Sequence, residues 1–540
     1  MKLTLEGIKN RSEWEAAGIT LPSYDIEKVV ENTKKAPSWV HFGIGNIFRI
    51  FIGGLADTLI SNGESDKGIT CVETFDFDVV DKIYDPYDNL VLAVTLKADG
   101  STDKKVLGSL TEAIKAQANV PETWNRLKEI FTSKELQMIS FTITEKGYAL
   151  KAADGTYFPF IQADIDNGPE KPGAAMAIVC ALLNERYKAG KLPLAVVSMD
   201  NCSHNGEKLQ NSIVTMAKEW QAKGFVDDGF IEYLTDENQV SFPWSMIDKI
   251  TPRPADSVCA ELEKAGVEDV APVITSKRTY IAPFVNAEEP QYLVIEDKFP
   301  NGRPALEKAG VYMTDRDTVN KVERMKVCTC LNPLHTALAV FGCLLGYDLI
   351  ADEMKNETLV KLVKRIGYVE GLPVVTDPGI LSPKAFIDEV LNVRVPNPFM
   401  PDTPQRIATD TSQKLAIRFG ETIKAYQADD SLNLDDLNGI PLVFAGWLRY
   451  LMGVDDNGNE FELSPDPLLD TVCPYVKDFK LGEVPSKEEL ASKLSGLLSN
   501  ASIFGVDLCE IGMCDKVLTA FAEMLAGPGA VAATLEKHLA

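Results

Sequence analysis

The chain has 540 residues, of which 45% are hydrophobic and 25% are charged, an ordinary composition for a globular protein with more than one domain. Its 54 lysines and arginines against 79 aspartates and glutamates give a formal net charge of −25, which repels nucleic-acid backbones and anionic membrane surfaces. We therefore expect neither a nucleic-acid nor a membrane partner, and an anionic substrate would need a local basic pocket.

The sequence predicts neither membrane insertion nor secretion. It contains no run of 18 apolar residues, and its first residues, MKLTLEG, lack the apolar core of a signal peptide. The ten cysteines form no compact framework and no zinc-type spacing. We expect ten buried, reduced thiols, no bound metal, a cytoplasmic location and a monomer or small homo-oligomer.

The first part of the chain alternates short β-branched segments with helical ones. Such alternation predicts an α/β fold with a mostly parallel sheet, whose ligands bind at the carboxyl ends of the strands. We expect this first domain to cover residues 1–300. The predicted strands are 38–42, 68–72, 90–96, 138–143 and 194–198, and a helix is predicted over 47–59.

After about residue 300 strands become scarce and long apolar-periodic segments follow, which predicts a mainly helical second domain over residues 301–540. The proline-rich and aromatic stretch 277–304 is predicted to be the hinge. Residues beyond about Ser464 carry no motif, and we expect them to be helical packing. The predicted helices are 334–345, 357–366, 404–426 and 439–451.

A glycine turn lies in the segment HFGIGNIFR, which closes the first predicted strand and opens a helix. Gly43 and Gly45 permit a tight turn and let backbone N–H groups approach a pyrophosphate at the helix N-terminus. Phe48 replaces the third glycine of the usual fingerprint, which predicts a wider spacing between helix and sheet. The turn predicts a dinucleotide site.

Two acidic residues follow the next predicted strand and bear on the choice of dinucleotide. Glu73 or Asp76 could accept hydrogen bonds from an adenosine ribose, and a carboxylate there would repel a 2′-phosphate. NAD is therefore predicted as the cofactor rather than NADP. Alternatively, either acid is a surface residue that follows a strand.

The segment from Lys326 to His335, KVCTCLNPLH, places an amine, an amide and an imidazole close together. Asn332-Pro333 predicts a helix start, because Asn is a favoured N-cap and Pro suits the first helical position. His335 then lies in the first turn, where the helix dipole favours a negatively charged ligand oxygen. The alternative is a helix cap beside a buried structural histidine.

Five blocks of the sequence resemble, in order, the polyol-specific long-chain dehydrogenases, a family that includes mannitol and keto-uronate enzymes. The resemblance runs from about residue 38 to about 420 and implies a Rossmann-type NAD-binding domain, a helical substrate-binding domain and catalysis without a metal. The blocks are Gly43–Arg49, Thr142–Tyr148, Asp200-Asn201, Phe242–Pro252 and Asn332–His335.

The resemblance implies roles for individual side chains. Lys326 would be the general acid/base on the reacting oxygen, Asn201 and Asn332 would polarise that oxygen, and His335 would bind or orient the substrate. The alternatives are a surface lysine and, for Asn201, a turn cap. The residues expected to bind the cofactor are Gly43, Ile44, Gly45, Asn46, Phe48, Arg49, Glu73, Asp76, Thr144 and Glu145.

The spacing of the catalytic lysine departs from the family. The family places four residues between the lysine and the asparagine, and here five residues separate Lys326 from Asn332. On a continuous helix one extra residue rotates the lysine by about 100°. Either the chain bends before Asn332 or a π-bulge absorbs the residue, and Lys321 is a weaker alternative for the acid/base.

A cationic pair indicates the class of substrate. Lys414 and Arg418 are one helical turn apart and can face one oxyanion, which in so acidic a protein predicts an anionic substrate such as a uronate. Surface ion pairs are the alternative, and Asp248 could instead pair with Lys249 or Arg253. The residues expected to bind substrate are Asp248, Lys146, Lys414, Arg418 and Arg394.

We expect from the resemblance a reversible, NAD-dependent reduction of D-fructuronate to D-mannonate, as in hexuronate metabolism. Reduction of tagaturonate, or oxidation of a neutral polyol as by a mannitol 2-dehydrogenase, is the alternative within the class. A catalytically inactive nucleotide-binding protein is the alternative from another class, and the altered lysine spacing is its only support. A metal-dependent hydrolase or isomerase would need clustered ligands.

Overall fold

The computed structural model describes residues 1–540, which divide into two compact units. The first unit comprises Met1–Lys97 and Ser101–Asn320, and the second comprises Ala98–Gly100 and Lys321–Ala540. The division falls at residue 320 rather than at 300 because the strand Tyr312–Thr314 pairs in parallel with a strand of the first unit.

All fifteen strands lie in the first unit. They are β1 Ile19–Thr20, β2 Trp39–Phe42, β3 Ile69–Glu73, β4 Val91–Leu96, β5 Thr102–Leu107, β6 Leu110–Lys115, β7 Met138–Phe141, β8 Leu194–Ser198, β9 Val240–Ser241, β10 Ser245–Asp248, β11 Val273–Ile274, β12 Tyr280–Ile281, β13 Phe284–Glu288, β14 Tyr292–Glu296 and β15 Tyr312–Thr314.

The main sheet has six parallel strands in the order β6-β3-β2-β7-β8-β9. β2, β7 and β8 are buried along their whole length, and their sequences are apolar except for His41, Ser140 and Ser198. The strand order reverses at β2, and in such sheets ligands bind outside the carboxyl ends at this point. The prediction of an α/β fold with a mostly parallel sheet is confirmed.

The remaining strands form three smaller sheets, and they correct two predictions. The strand predicted at 90–96 exists as β4, but it pairs antiparallel with β5 and parallel with β13, in the sheet β1-β5-β4-β13. The hinge predicted at 277–304 is wrong, because that stretch contains β12, β13 and β14. Three of its four aromatic residues, Tyr280, Phe284 and Tyr292, belong to strands, and β13 is buried throughout.

The rest of the regular secondary structure is helical, and six segments are π-helical. The π-helical segments are Phe48–Ile52, Val80–Tyr84, Lys326–Cys330, Arg365–Gly371, Val390–Arg394 and Ala416–Gly420. The α-helices are α1 Arg11–Ala16, α2 Ile26–Lys35, α3 Gly53–Ser61, α4 Pro121–Phe131, α5 Glu145–Tyr148, α6 Pro159–Asn167, α7 Ala175–Lys188, α8 Asn205–Ala222, α9 Asp228–Thr235, α10 Asp256–Lys264, α11 Arg316–Met325, α12 Asn332–Leu345, α13 Ile350–Glu353, α14 Glu357–Lys364, α15 Pro383–Glu389, α16 Pro404–Ile407, α17 Glu421–Ala428, α18 Gly439–Tyr450, α19 Leu469–Val472, α20 Lys487–Leu498, α21 Ala501–Phe504, α22 Cys514–Met524 and α23 Ala530–His538.

The second unit is mainly helical, as predicted. The helix predicted over 404–426 is interrupted, because Asp410 adopts a left-handed conformation with φ 56° that ends α16 before α17 can begin. The helical stretch Arg316–Leu345 is long and apolar enough to cross a membrane by length and composition, but 83% of its most apolar window is buried inside the protein. Burial explains its composition.

The cysteines differ from the expectation of ten reduced thiols. Cys509 and Cys514 form a disulfide with their Cα atoms 4.8 Å apart, within the usual range for such a bond. It closes the loop before α22. Cys202 and Cys473 form no disulfide and are only partly buried. Sequence spacing alone could not show that the loop brings the first two side chains together.

Glu353 is a fully buried acid that packs against α12. Both of its carboxyl oxygens lack a hydrogen-bond partner. A Cβ atom at Gly342 would lie 2.1 Å from Glu353 Oε1, so only glycine fits opposite it. Burial raises the pKa of Glu353 to about 9, because the charged form would be desolvated without compensation.

This burial predicts a pH dependence of stability. Between the unfolded pKa of about 4.3 and the folded value, the folded protein holds a proton that the unfolded chain has released, so stability falls by about 1.4 kcal/mol per pH unit. We expect Glu353→Gln to remove this contribution. Calorimetric melting between about pH 5 and pH 8 should show a shallower decline for the variant than for the wild type. Parallel curves would contradict the assignment.

Candidate functional site

The glycine turn lies where the strand order reverses. β2 and β7 are in register, with Phe42 opposite Phe141, so the turn after β2 emerges beside the turn after β7. Gly43 has φ 86°, and a Cβ atom there would lie 2.3 Å from the carbonyl oxygen of Thr142. Both the left-handed backbone and the close approach require glycine.

Three side chains beneath the turn support it from inside the protein. The His41 ring stacks on Phe48, with centroids 4.0 Å apart, and its Nε2 lies 2.9 Å from Thr142 Oγ1. Burial lowers the pKa of His41 well below its usual value, so the ring is neutral. The Arg49 guanidinium donates to the carbonyls of Ala282 and Pro283.

The side chains of Ile44, Phe48 and Arg49 lie inside the protein. Phe48 and Arg49 are fully buried, and the side chain of Ile44 is buried as well. Arg49 donates to two backbone carbonyls and lies 6.0 Å from the centroid of the Tyr84 ring, and burial lowers its pKa to about 10. These side chains support the turn from inside, so a cofactor contact of these residues would come from their backbone groups, and that contact stays a prediction.

Other atoms of the turn are open to a ligand. A Cβ atom at Gly45 would meet nothing within 4 Å, which leaves room for a group to approach the backbone. Asn46 Oδ1 is buried and has no hydrogen-bond partner within the protein. A buried acceptor without a partner is rare in native proteins and fits a donor from a bound molecule. These features fit a dinucleotide at the turn.

Glu73 and Asp76 lie at the carboxyl end of β3, as predicted. Glu73 Oε1 accepts the backbone N–H groups of Thr74, Phe75 and Asp76 at 3.0, 2.9 and 3.2 Å. Burial nevertheless raises the pKa of Glu73. Asp76 Oδ2 accepts the hydroxyls of two threonines, whereas its Oδ1 is buried without a partner. Both acids thus fix the turn after β3.

Phe75 is a residue that the sequence did not single out. Its ring is 67% exposed between the two acids, and the Lys277 amine lies 5.1 Å from the ring centroid. A large exposed aromatic ring beside a ligand-binding turn offers a stacking surface. Its only sequence signal is its position directly after a strand that ends in an acid.

The turn after β7 is held by the carboxylate of Asp200, which follows β8. Asp200 accepts the backbone N–H groups of Ile143 and Thr144, each at 2.9 Å, and the hydroxyl of Tyr148 at 2.6 Å. Thr144 has φ 65° and ψ 159°, a conformation almost restricted to glycine that costs about 1–3 kcal/mol elsewhere. Glu145 is exposed and pairs with Lys208.

Asn201, Lys146 and Asp248 belong to the first unit: Asn201 follows β8, Lys146 lies in α5 after β7, and Asp248 ends β10. Asn201 and Lys146 are exposed, while Asp248 ends β10 and is 5% exposed. Lys249 donates to the carbonyl oxygen of Glu288 at 2.6 Å, so its amine has a backbone acceptor. The roles expected for these three residues stay predictions.

In the second unit, Lys326 begins the π-helical segment Lys326–Cys330 that leads into α12. The extra residue between Lys326 and Asn332 is thus absorbed by a π-helix, one of the two accommodations that the sequence left open. Lys326 is 4% exposed. Leu331 rather than Asn332 is the N-cap, and Asn332 is the first helical residue.

The first turn of α12 also carries His335 and Thr336. His335 Nε2 lies 3.5 Å from Asp402 Oδ2, and Asp402 is itself buried and paired with Arg406. Asp402 orients the imidazole, which the sequence did not show because the two residues are 67 positions apart in the chain. Thr336 Oγ1 donates to the carbonyl oxygen of Asn332 at 3.0 Å.

Arg418 reaches this turn from the π-helical segment Ala416–Gly420. Its Nη1 donates to Thr336 Oγ1, and no carboxylate pairs with it. Burial lowers the pKa of Arg418 to about 10. Lys414 does not share its target, since the Lys414 amine donates to the carbonyl oxygen of Thr409. Burial and the nearby charge of Arg418 lower the pKa of Lys414, so the two cations lie close together, and their shared contact with an oxyanion stays a prediction.

The segment around Lys414 is fixed by the C-terminal extension, which was expected only to pack. Asp466 accepts the backbone N–H of Ser412 at 2.8 Å and its hydroxyl at 2.5 Å. Asp410 donates its N–H to the carbonyl oxygen of Pro465. Arg394 ends another π-helical segment and is 3% exposed.

Two domain families together match most of the chain. Residues 37–308 match the Mannitol dehydrogenase Rossmann domain, and residues 318–525 match the Mannitol dehydrogenase C-terminal domain. The chain is 53% identical over 539 residues to the D-mannonate oxidoreductase of Thermotoga maritima, with 99% of each covered. It is 28% identical over 512 residues to the D-mannonate oxidoreductase of Escherichia coli, with 92% of this chain and 96% of the relative covered.

Solved structures agree with these matches. Substrate-free D-sorbitol dehydrogenase superposes with a TM-score of 0.77 at 25% identity, covering 96% of this chain and 98% of its own. The ternary complex of Pseudomonas fluorescens mannitol 2-dehydrogenase with NAD and D-mannitol has a TM-score of 0.69 at 26% identity, covering 100% and 99%.

Matches of this extent define the class of protein: it is an oxidoreductase that acts on CH–OH groups. More particularly, the chain belongs to the mannitol dehydrogenase family. The resemblance drawn from five short sequence blocks is confirmed, and so is the combination of a Rossmann domain with a helical C-terminal domain.

The two glycines of the turn should respond differently to alanine. Gly43→Ala introduces a clash and a strained φ, so we expect a lower melting temperature and loss of NADH binding. Gly45→Ala meets open space, so the fold should survive while NADH affinity falls, because the new methyl occupies the approach to the backbone. Calorimetry and NADH fluorescence titration measure both. Unchanged NADH affinity in Gly45→Ala would contradict a dinucleotide at this turn.

Proposed function

We propose that this protein is an NAD-dependent fructuronate reductase, which reversibly reduces D-fructuronate to D-mannonate without a metal. The two D-mannonate oxidoreductases that the chain resembles support a sugar-acid substrate, and the first of them matches over the whole chain. We further propose that the protein acts in the cytoplasm on a small molecule, as a monomer or small homo-oligomer.

The proposal of a uronate substrate rests on Arg418, whose guanidinium has no carboxylate partner in the protein. A partly buried guanidinium without a carboxylate partner is costly, and in a chain with a net charge of −25 acidic partners are abundant. Its position against Thr336, in the first turn of α12, places it beside Asn332. We infer that the substrate supplies the missing carboxylate, which Arg418 binds through charge-assisted hydrogen bonds.

NAD is the cofactor. It would be held at the glycine turn by Gly45 and Asn46 and at the end of β3 by Glu73 and Asp76, whose acidic side chains disfavour the 2′-phosphate of NADP. When bound, NAD supplies the nicotinamide carbon that accepts or donates hydride. The unpaired acceptors Asn46 Oδ1 and Asp76 Oδ1 support this placement, since each fits a hydroxyl or amine donor.

Side chains of the protein stabilise the charge on the reacting oxygen and transfer the proton. As hydride reaches the carbonyl carbon, negative charge develops on its oxygen, and amide donors such as those of Asn201 and Asn332 can stabilise that charge. Lys326 donates the proton to the oxygen, and in the oxidative direction it removes the proton from the alcohol. His335, oriented by Asp402, binds a substrate hydroxyl.

Arg418→Met should separate uronates from neutral ketoses. Loss of one charge-assisted contact predicts an increase of about 10–100-fold in KM for fructuronate, with little change in NADH affinity. Residual fructose reduction should be unaffected. Lys424→Met, a neighbouring surface cation, is the control and should behave as the wild type.

A substrate panel decides between the alternatives within the class. NADH consumption is compared with fructuronate, tagaturonate and fructose at equal concentrations. Preference for tagaturonate would change the substrate but keep the carboxylate contact. Preference for fructose, with no effect of Arg418→Met on any substrate, would overturn the uronate assignment.

Lys326→Met tests the acid/base. Removal of a general acid predicts a fall of about 10²–10⁴-fold in kcat, with NADH binding retained. Lys321→Met is the matched control from the same helical stretch and should keep most of the activity. If Lys321→Met were the inactive variant instead, the acid/base would be reassigned. NADH binding without turnover of any substrate in the wild type would favour the inactive nucleotide-binding protein.

A further inference from the structure

The strained backbone of Thr144 has a visible cause in the side chain of Asp200. Thr144 is a β-branched residue at φ 65° and ψ 159°, a conformation that only glycine adopts without strain. The Thr144 N–H donates to Asp200 Oδ1 and the Ile143 N–H donates to Asp200 Oδ2, each at 2.9 Å. Two parallel hydrogen bonds to one carboxylate fix the direction of both N–H groups and hold the backbone in this conformation.

The Asp200 carboxylate is itself held from other sides. The Tyr148 hydroxyl donates to it at 2.6 Å and lies 2.8 Å from Ser198 Oγ. The carbonyl oxygen of Asp200 accepts the N–H of Cys202 at 2.9 Å and the Asn205 amide at 3.0 Å. The backbone on both sides of Asn201 is thereby tied down.

We propose that Asp200 is a positioning residue that sets two parts of the site at once. Its carboxylate shapes the turn Thr144–Glu145, which receives the cofactor beside the glycine turn, and its backbone orients Asn201, the adjacent residue in the chain. The register of β7 and β8, with Phe141 opposite Ser198, places the two turns close enough for one side chain to span them. Asp200 contacts neither substrate nor cofactor in this role.

Asp200→Asn is the informative change because it keeps the shape of the side chain. The carboxamide carries one donor group, which must face a donor N–H or the Tyr148 hydroxyl, so at least one of the three hydrogen bonds is lost. We expect the Kd for NADH to rise at least about tenfold because Thr144 relaxes. We expect kcat to fall by about tenfold or more, because the Asp200 side chain no longer anchors its own backbone and the adjacent Asn201 shifts with it.

Asp164→Asn is the matched control. Asp164 is a buried aspartate of the same unit that accepts two backbone N–H groups, from Gly173 and Ala174, at 2.8 and 2.7 Å. It lies outside the site, so its variant should lose thermal stability without a change in NADH affinity or kcat. The comparison separates positioning from general stabilisation.

Thr144→Gly in the Asp200→Asn background gives a second, independent readout. Glycine adopts the observed φ and ψ without strain and so depends less on the carboxylate. The double variant should bind NADH nearly as tightly as Thr144→Gly alone, measured by fluorescence titration. Tyr148→Phe, which removes one donor and keeps the carboxylate, should shift NADH affinity in the same direction as Asp200→Asn but less.

The outcomes distinguish this inference from the proposed function on which it rests. If the wild type does not bind NADH, the proposed function itself fails. If the wild type binds NADH and Asp200→Asn behaves like Asp164→Asn, or if Thr144→Gly restores no affinity, the positioning role of Asp200 is overturned. Should Asp200→Asn not fold, Tyr148→Phe with unchanged NADH affinity would overturn it equally.

Discussion

Parallel pairing at the centre of the six-stranded sheet is the constraint on which the site in the first unit depends. Phe42 lies opposite both Val72 and Phe141, and Phe141 lies opposite Ser198. The strands therefore end at one level, and the turns that follow them emerge side by side. Gly43, Glu73 and the Thr142–Thr144 turn are neighbours for this reason alone, although about a hundred residues separate the first from the last.

Several charged side chains of the second unit lie in irregular helices. Lys326, Arg394 and Arg418 each belong to a π-helical segment, where one extra residue per turn changes the direction of a side chain without ending the helix. The unit also contains two ionisable side chains that no opposite charge accompanies. Burial keeps Glu353 neutral, whereas Arg418 is a cation without a carboxylate partner. The neutral Glu353 underlies the predicted pH dependence of stability, and the unpaired Arg418 underlies the proposal of an anionic substrate.

Sequence reasoning succeeded where a pattern has one structural meaning and failed where it has several. Strand–helix alternation identified the parallel sheet, but the apolar pattern of β4 could not show that its partners are β5 and β13, because a buried strand reads alike in any sheet. Arg49 lies in a motif that predicts a ligand-binding arginine, yet its guanidinium donates to two backbone carbonyls. The disulfide and the roles of Asp402 and Asp466 depend on contacts that no local spacing reveals.

From the sequence alone follow the order of elements, the glycine turn, the two-part organisation and the membership of the mannitol dehydrogenase family, since each depends on residue types at short spacing. The tertiary structure decided which side chains of the turns are buried and what they contact: Phe48 and Arg49 are internal, and Asp200 accepts the N–H of the strained Thr144. It also decided that a π-helix accommodates the extra residue after Lys326. The physical reason is that hydrogen-bond partners distant in the chain, and the direction of a side chain within a turn, are fixed only when the strands and helices pack.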